Sequence, residues 1–214
     1  MAEATYNEPV QDRAIATRER LLDALENLLR TTSINDLTVA AIAAEAEVTT
    51  GAIYRRFADK QALLQAASER AHRRASTAQR LDDTHAGSDQ EVLRQMLEGI
   101  LDYALSHMPL MRATAAFNDE CSFGHMQRAR NEVASALARN LKHAVYAGED
   151  LERRARFALR TATAAIRDTY MSGPGAYDST LSPAQFKARK RKSIDSLLDN
   201  LEEMLGVYLG VPRA

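Results

Sequence analysis

The chain has 214 residues, 45% of them hydrophobic, enough for one or two domains with substantial cores. Its formal charge of −1 excludes a globally basic nucleic-acid-coating protein, and its single cysteine, Cys121, excludes an intrachain disulfide or a cysteine-based zinc site. With no tryptophan, nine glycines and five prolines among many Ala, Leu, Arg and Glu, the composition points to an all-α fold of long helices. The N-terminal stretch lacks an apolar signal core and no run approaches membrane length, so a reducing, cytoplasmic setting is expected.

Residues 1–14 are polar, contain Pro9, and read as a flexible arm. Arg13 and Arg18 are candidates to reach a groove from it, although a plain disordered tail is the simpler reading. A first helix is expected over about 17–30, with Leu21, Leu22, Leu25, Leu28 and Leu29 as its apolar stripe. Ile34 and Leu37 should tuck beneath the next pair of helices. Residues 37–64 read as two short helices joined by a tight turn and the start of a third, a helix-turn-helix unit. Thr38, Thr49 and Asp59 are placed to cap the three helices. On the second of them, Ile53 and Phe57 share an inward face. Thr50, Gly51, Tyr54 and Arg55 occupy a separate arc of roughly 140°. That arc has no large aliphatic residue, and its glycine lets the backbone approach another molecule. Such a face suits a recognition helix, whose first residues reach base edges while its flanks grip phosphates. Arg55 can bind a guanine edge bidentately, and Tyr54 and Lys60 suit phosphate oxygens. Thr38, Thr49, Thr50, Gly51, Tyr54, Arg55 and Lys60 are therefore the candidate DNA-binding residues.

The stretch resembles the DNA-binding domain of the tetracycline-repressor (TetR) family of bacterial regulators. The residues that carry the likeness are Leu37-Thr38, Ile42-Ala43, Ala46, Val48, Gly51, Tyr54, Phe57, Lys60 and Leu63, about a quarter of the chain. Two positions depart from the usual pattern: Glu47 stands where the turn normally has glycine, and Arg56 where histidine is common. The resemblance implies a three-helix DNA-binding domain, placed at 15–71. It also implies a C-terminal helical domain at 72–214 that binds a ligand and dimerises. The first 71 residues hold eight Lys and Arg against eleven Asp and Glu, so DNA affinity should rest on local placement of charge and be salt-sensitive.

The helix opening at Asp59 should continue to about residue 81 as a polar connector, with His72 exposed. After a break at 82–87, a capping box at Ser88 and Glu91 opens a buried stripe of Val92, Met96, Ile100, Tyr103 and Ala104. This helix is expected to stop near His107, because Pro109 restricts its predecessor. Next come a short helix at 109–117, a loop at 118–124, a helix over 127–146 with Val133, Leu137, Leu141 and Val145 inward, and a helix over 151–171. Ser182, Pro183 and Gln185 start the last helix with a capping box and proline at its first position. Its basic run at 187–192 reads as a solvated face. The alanine-rich penultimate helix and leucine-rich last helix can pack on a second copy as a four-helix bundle. The family likeness implies the same twofold homodimer, able to read two half-sites of a palindromic operator in double-stranded DNA.

Met96, Ile100, Tyr103, Met111, Phe117, Phe123 and Met126 gather around 96–126. They can line an effector pocket as well as fill a core, since Met adapts to irregular shapes. The resemblance implies such a pocket, with Tyr170, His107 and His125 as polar candidates and an effector of unknown identity. No phosphate loop, nucleophile elbow or metal-ligand spacing is present, so no catalytic residue, metal or cofactor is assigned. The reading is a ligand-responsive regulator, most simply a repressor. Its rivals are a helical-bundle enzyme using the C-terminal cavity and a dimeric protein-interaction module.

Overall fold

A computed structural model describes residues 8–78, 87–116, 120–171, 176–178 and 180–212, with backbone alone at 8–11, 75–78, 120–123 and 125. The described residues form eight helices and no strand: α1 Glu8–Leu28, α2 Val39–Glu45, α3 Thr50–Tyr54, α4 Lys60–Ala78, α5 Asp89–Ala116, α6 Glu120–Asn140, α7 Gly148–Met171 and α8 Pro183–Leu209. None is long and apolar enough to cross a membrane. The chain divides into two compact units. One takes the described residues of Met1–Arg70 and Pro109–Ser122, the other those of Ala71–Met108 and Phe123–Ala214.

In the first unit the α1 leucines Leu21, Leu22 and Leu25 are fully buried as their spacing requires; Leu28, at the helix end, is half-buried, and Leu29, just past it, is nearly buried. α1 packs on α2, and α2 on α3. Ile34, Leu37, Ile42, Ile53, Phe57, Leu63 and Leu64 complete this core. α1 begins earlier than the sequence suggests, so 8–14 are its first turns and not an arm. Proline is tolerated in a first turn, where its missing N–H has no partner to lose, and Pro9 sits there. Residues 1–7 lie outside the described residues.

The second unit is built on α5, α6, α7 and α8 around Leu93, Leu97, Leu101, Leu105, Leu137, Leu159 and Leu205. Ala155, Ala158 and Ala162 are fully buried on α7, where their small side chains allow the leucines of α8 to come close. Both capping boxes form. Ser88 N–H donates to Glu91 Oε2 at 2.7 Å, and Ser182 accepts from Gln185 N–H while Gln185 accepts in return.

Three further boundaries are corrected. α5 does not stop at His107 but runs through Pro109 to Ala116. Met108, Pro109 and Leu110 are all buried, and that packing outweighs the hydrogen bond a proline removes. The loop expected at 118–124 is helical from Glu120 onward, with 118–119 outside the described residues. α6 ends at Asn140, six residues early, because the buried Asp89 carboxylate accepts from the N–H groups of Lys142 at 2.9 Å and His143 at 2.8 Å. Those amides cannot then serve a helix, and Val145, expected inside, is 79% exposed. Its N–H donates instead to Gly210 O at 2.8 Å. Nearby, Arg154 lies over the Tyr146 ring, 3.6 Å from its centre, and donates to Tyr208 O, closing the end of α8.

Candidate nucleic-acid interface

The helix-turn-helix is assembled by local bonds. Thr38 Oγ1 accepts from Ala41 N–H at 3.1 Å and Thr49 Oγ1 from Ala52 N–H at 3.2 Å, capping α2 and α3. Asp59 accepts from Ala62 N–H at 2.7 Å at the head of α4. Each threonine hydroxyl keeps its own proton as a donor to an outside acceptor. Between α2 and α3, Glu47 N–H donates to Ala44 O and Val48 N–H to Ala43 O. This bond pair turns the chain through a left-handed residue. Glu47 occupies that position with φ 53°, so the usual turn geometry is kept without the usual glycine.

α3 is two-sided. Ala52 and Ile53 are buried, while Tyr54 is 59% exposed and Thr49, Thr50, Gly51 and Arg55 are exposed with it. A Cβ at Gly51 would sit 3.8 Å from Arg55 Nη1 and 3.9 Å from Thr49 Oγ1, so the arginine folds back along the helix beside the glycine. Five predicted residues thus share one open surface. Arg56 is held against its own helix, its Nη1 donating to Ala52 O at 3.1 Å.

Lys60 is placed differently from the phosphate-facing role expected of it. Its ammonium donates to Ile34 O at 2.6 Å and Leu37 O at 2.8 Å. Two of its three protons therefore tie the segment before α2 to the head of α4. A residue overlooked in the sequence does similar work. Arg70 is 5% exposed and contacts Glu19 at 2.9 Å, Asp23 at 2.8 Å and Glu26 at 2.6 Å. Burial opposes its charge, and the carboxylates of Glu26 and Glu19 more than offset that, raising its pKa. No local pattern marks it, since its partners lie 44 to 51 positions away.

The effector candidates are dispersed. Met96 and Ile100 are core residues of the second unit, and Tyr170 is buried edge-on to Phe186 at 5.6 Å, its phenol pKa raised by that burial. The Tyr103 ring lies tilted between those of His72, at 5.8 Å, and His107, at 4.7 Å, and His72 is half-buried rather than exposed. Met126 is half-buried on α6, and Met111 half-buried on the part of α5 that belongs to the first unit. Phe117 lies outside the described residues, as do the side chains of Phe123 and His125. A groove of about 420 Å³ lies elsewhere, lined by Gln90, Leu93, Asp199, Glu202, Gly206 and Val207.

Residues 21–67 match the family described as bacterial regulatory proteins, tetR family. Over those residues the chain carries a tetR-family helix-turn-helix domain. Its whole-chain fold agrees. A transcriptional regulator from Rhodococcus sp. Rha1 superposes with a TM-score of 0.66 at 17% identity, over 92% of this chain and 99% of that one. A tetR-family regulator from Streptomyces coelicolor gives 0.61 at 18%, over 89% and 91%. A TetR-like regulator from Rhodococcus sp. RHA1 gives 0.57 at 21%, over 88% and 93%. No protein of curated function matches the sequence significantly. The family match covers the end of α1, α2, α3 and the head of α4, so the TetR-family helix-turn-helix is the unit that Thr38, Thr49 and Asp59 cap.

Proposed function

We propose that the whole chain is a TetR-family protein, a homodimeric transcriptional regulator acting as a repressor, that reads a palindromic operator through α3 and is released by a small-molecule effector. The observation that carries the reading is the two-sidedness of α3: Ile53 is 1% exposed and Tyr54, its neighbour, 59%. A helix that buries its apolar side and leaves a tyrosine, an arginine, two hydroxyls and a glycine in the open has the donors and the clearance a major groove requires. Thr49, Thr50, Gly51, Tyr54 and Arg55 are assigned to the DNA, and Thr38 to the phosphate flank. Lys60 is assigned first to holding the domain together, with one proton left for a phosphate.

Dimerisation is assigned to α7 and α8. Phe157, Met204 and Val207 are exposed there at 47%, 49% and 62%, an apolar surface that a second copy would cover. The effector is assigned to the second unit, where Tyr103 and His107 supply polar groups beside an apolar core. Release is a population shift, in which the effector favours a spacing of the two reading helices that a single duplex cannot meet.

The test is operator binding by an Arg55→Ala variant, with the operator found by selection from random duplexes. Loss of a bidentate base contact should cost about 1–3 kcal/mol and relax the preference at one base position per half-site. Unchanged affinity together with unchanged preference would remove Arg55 from the reading face.

A further inference from the structure

We propose that α6 and α7 hold a binding site for a small anion, a carboxylate or phosphate group, formed by Arg130, Arg160 and Arg167. Arg160 and Arg167 are seven residues apart on α7, two turns along one stripe, and the charges of both reach Arg130 on α6. Elsewhere in this unit arginines meet carboxylates: Arg94 contacts Asp199 and Glu202, and Arg154 contacts Asp150. These three have no carboxylate partner among the described residues; Arg160 lies instead near the Phe157 ring, 5.6 Å away.

Arg130 is the informative member. It is half-buried, and its Nε is shielded from solvent with no hydrogen-bond partner among the described residues. Burial lowers its pKa, and Arg167 and Arg160 lower it further. A guanidinium removed from water and set beside two like charges is unfavourable alone. One anion between the helices would satisfy the orphaned Nε–H and turn the mutual repulsion into attraction, with the planar forks matching its oxygens. Met126 is one turn before Arg130 on the same face of α6 and is half-buried, which gives an apolar neighbour for a ligand with a hydrocarbon body.

The test is thermal unfolding of the full chain with inorganic phosphate in one arm and decanoate in the other, each against sodium chloride at equal ionic strength. The expected result is a saturable rise in Tm in at least one arm, about 5–10 °C at a hundredfold excess over Kd. The arm that responds names the head group. Arg130→Met should abolish the rise while leaving the ligand-free protein at least as stable, and Arg167→Gln, an exposed change, should weaken it. Three results overturn the proposal: a shift no larger than that given by sodium chloride, a shift retained in Arg130→Met, or no shift combined with dissociation of a dimer by Arg167→Gln. The last would show that these arginines pair with a second copy instead.

Discussion

Gly51→Ala separates what the fold needs at the reading helix from what the DNA needs. The added methyl would lie 3.8 Å from Arg55 Nη1 and 3.9 Å from Thr49 Oγ1, both ordinary contacts, with nothing closer. The backbone there is helical, so alanine meets no strain. Alanine in a helix is favoured over glycine by roughly 0.5–1 kcal/mol, and the variant should melt about 1–4 °C higher. If the glycine exists to let α3 approach a duplex, the same methyl must push the helix away or displace an ordered contact. A tenfold to hundredfold loss of operator affinity is then expected, about 1.4–2.8 kcal/mol. Calorimetric unfolding and a fluorescence-anisotropy titration on one duplex measure both quantities. A more stable variant that binds as tightly as the parent would refute the placement of Gly51 against DNA, and with it the orientation assigned to α3.

Further predictions address the turn, the lysine and the end of α8. Glu47→Gly relieves the left-handed backbone at φ 53° and should stabilise the first unit by about 0.5–1 kcal/mol by denaturant unfolding, whereas Glu47→Gln should leave stability unchanged. Lys60→Met strips the donor from Ile34 O and Leu37 O and should destabilise by about 1.5–3 kcal/mol with no DNA present. An unaltered midpoint would mean those bonds contribute nothing. Gly210→Ala forces a Cβ to 2.9 Å from Val145 Cβ and 3.0 Å from the Tyr146 ring at φ 70°. A loss of about 2–5 kcal/mol is expected from left-handed strain and crowding, read as a fall in Tm.

What could be read from the sequence was whatever is decided within a few residues. Thr38, Thr49, Asp59, Ser88 and Ser182 cap the helices assigned to them because a cap reaches only two or three positions ahead. The α3 face was legible for the same reason, since helical spacing alone separates Ile53 from Tyr54. Features set by partners far along the chain were not. The end of α6 is fixed by Asp89, 53 positions before Lys142. The continuity of α5 through Pro109 depends on tertiary burial that outweighs a local rule. Lys60 looked like a phosphate ligand because its partners, Ile34 and Leu37, offer backbone carbonyls, which leave no mark in a side-chain pattern. The dispersed effector candidates show the same limit: Met96 and Ile100 have the composition of a pocket lining and the burial of a core.

The charge of residues 1–71, an apparent objection to a DNA-binding role, is resolved by where the charges sit. Glu19, Asp23 and Glu26 converge on the buried Arg70. With that cluster set aside, seven basic residues face eight acidic ones over residues 1–71. Three of the seven, Arg55, Arg56 and Lys60, fall within six consecutive positions at α3 and the head of α4. Attraction to DNA should therefore be concentrated rather than abundant. Two copies bring at most six such cations to a duplex, so the logarithm of affinity should fall against the logarithm of salt with a slope no steeper than about −5. Lys60→Ala in both copies should make it shallower by nearly two, whereas Arg55→Ala should chiefly relax base preference. A slope near −10 would mean that basic residues elsewhere grip the backbone, and the concentration of charge at α3 would no longer account for binding.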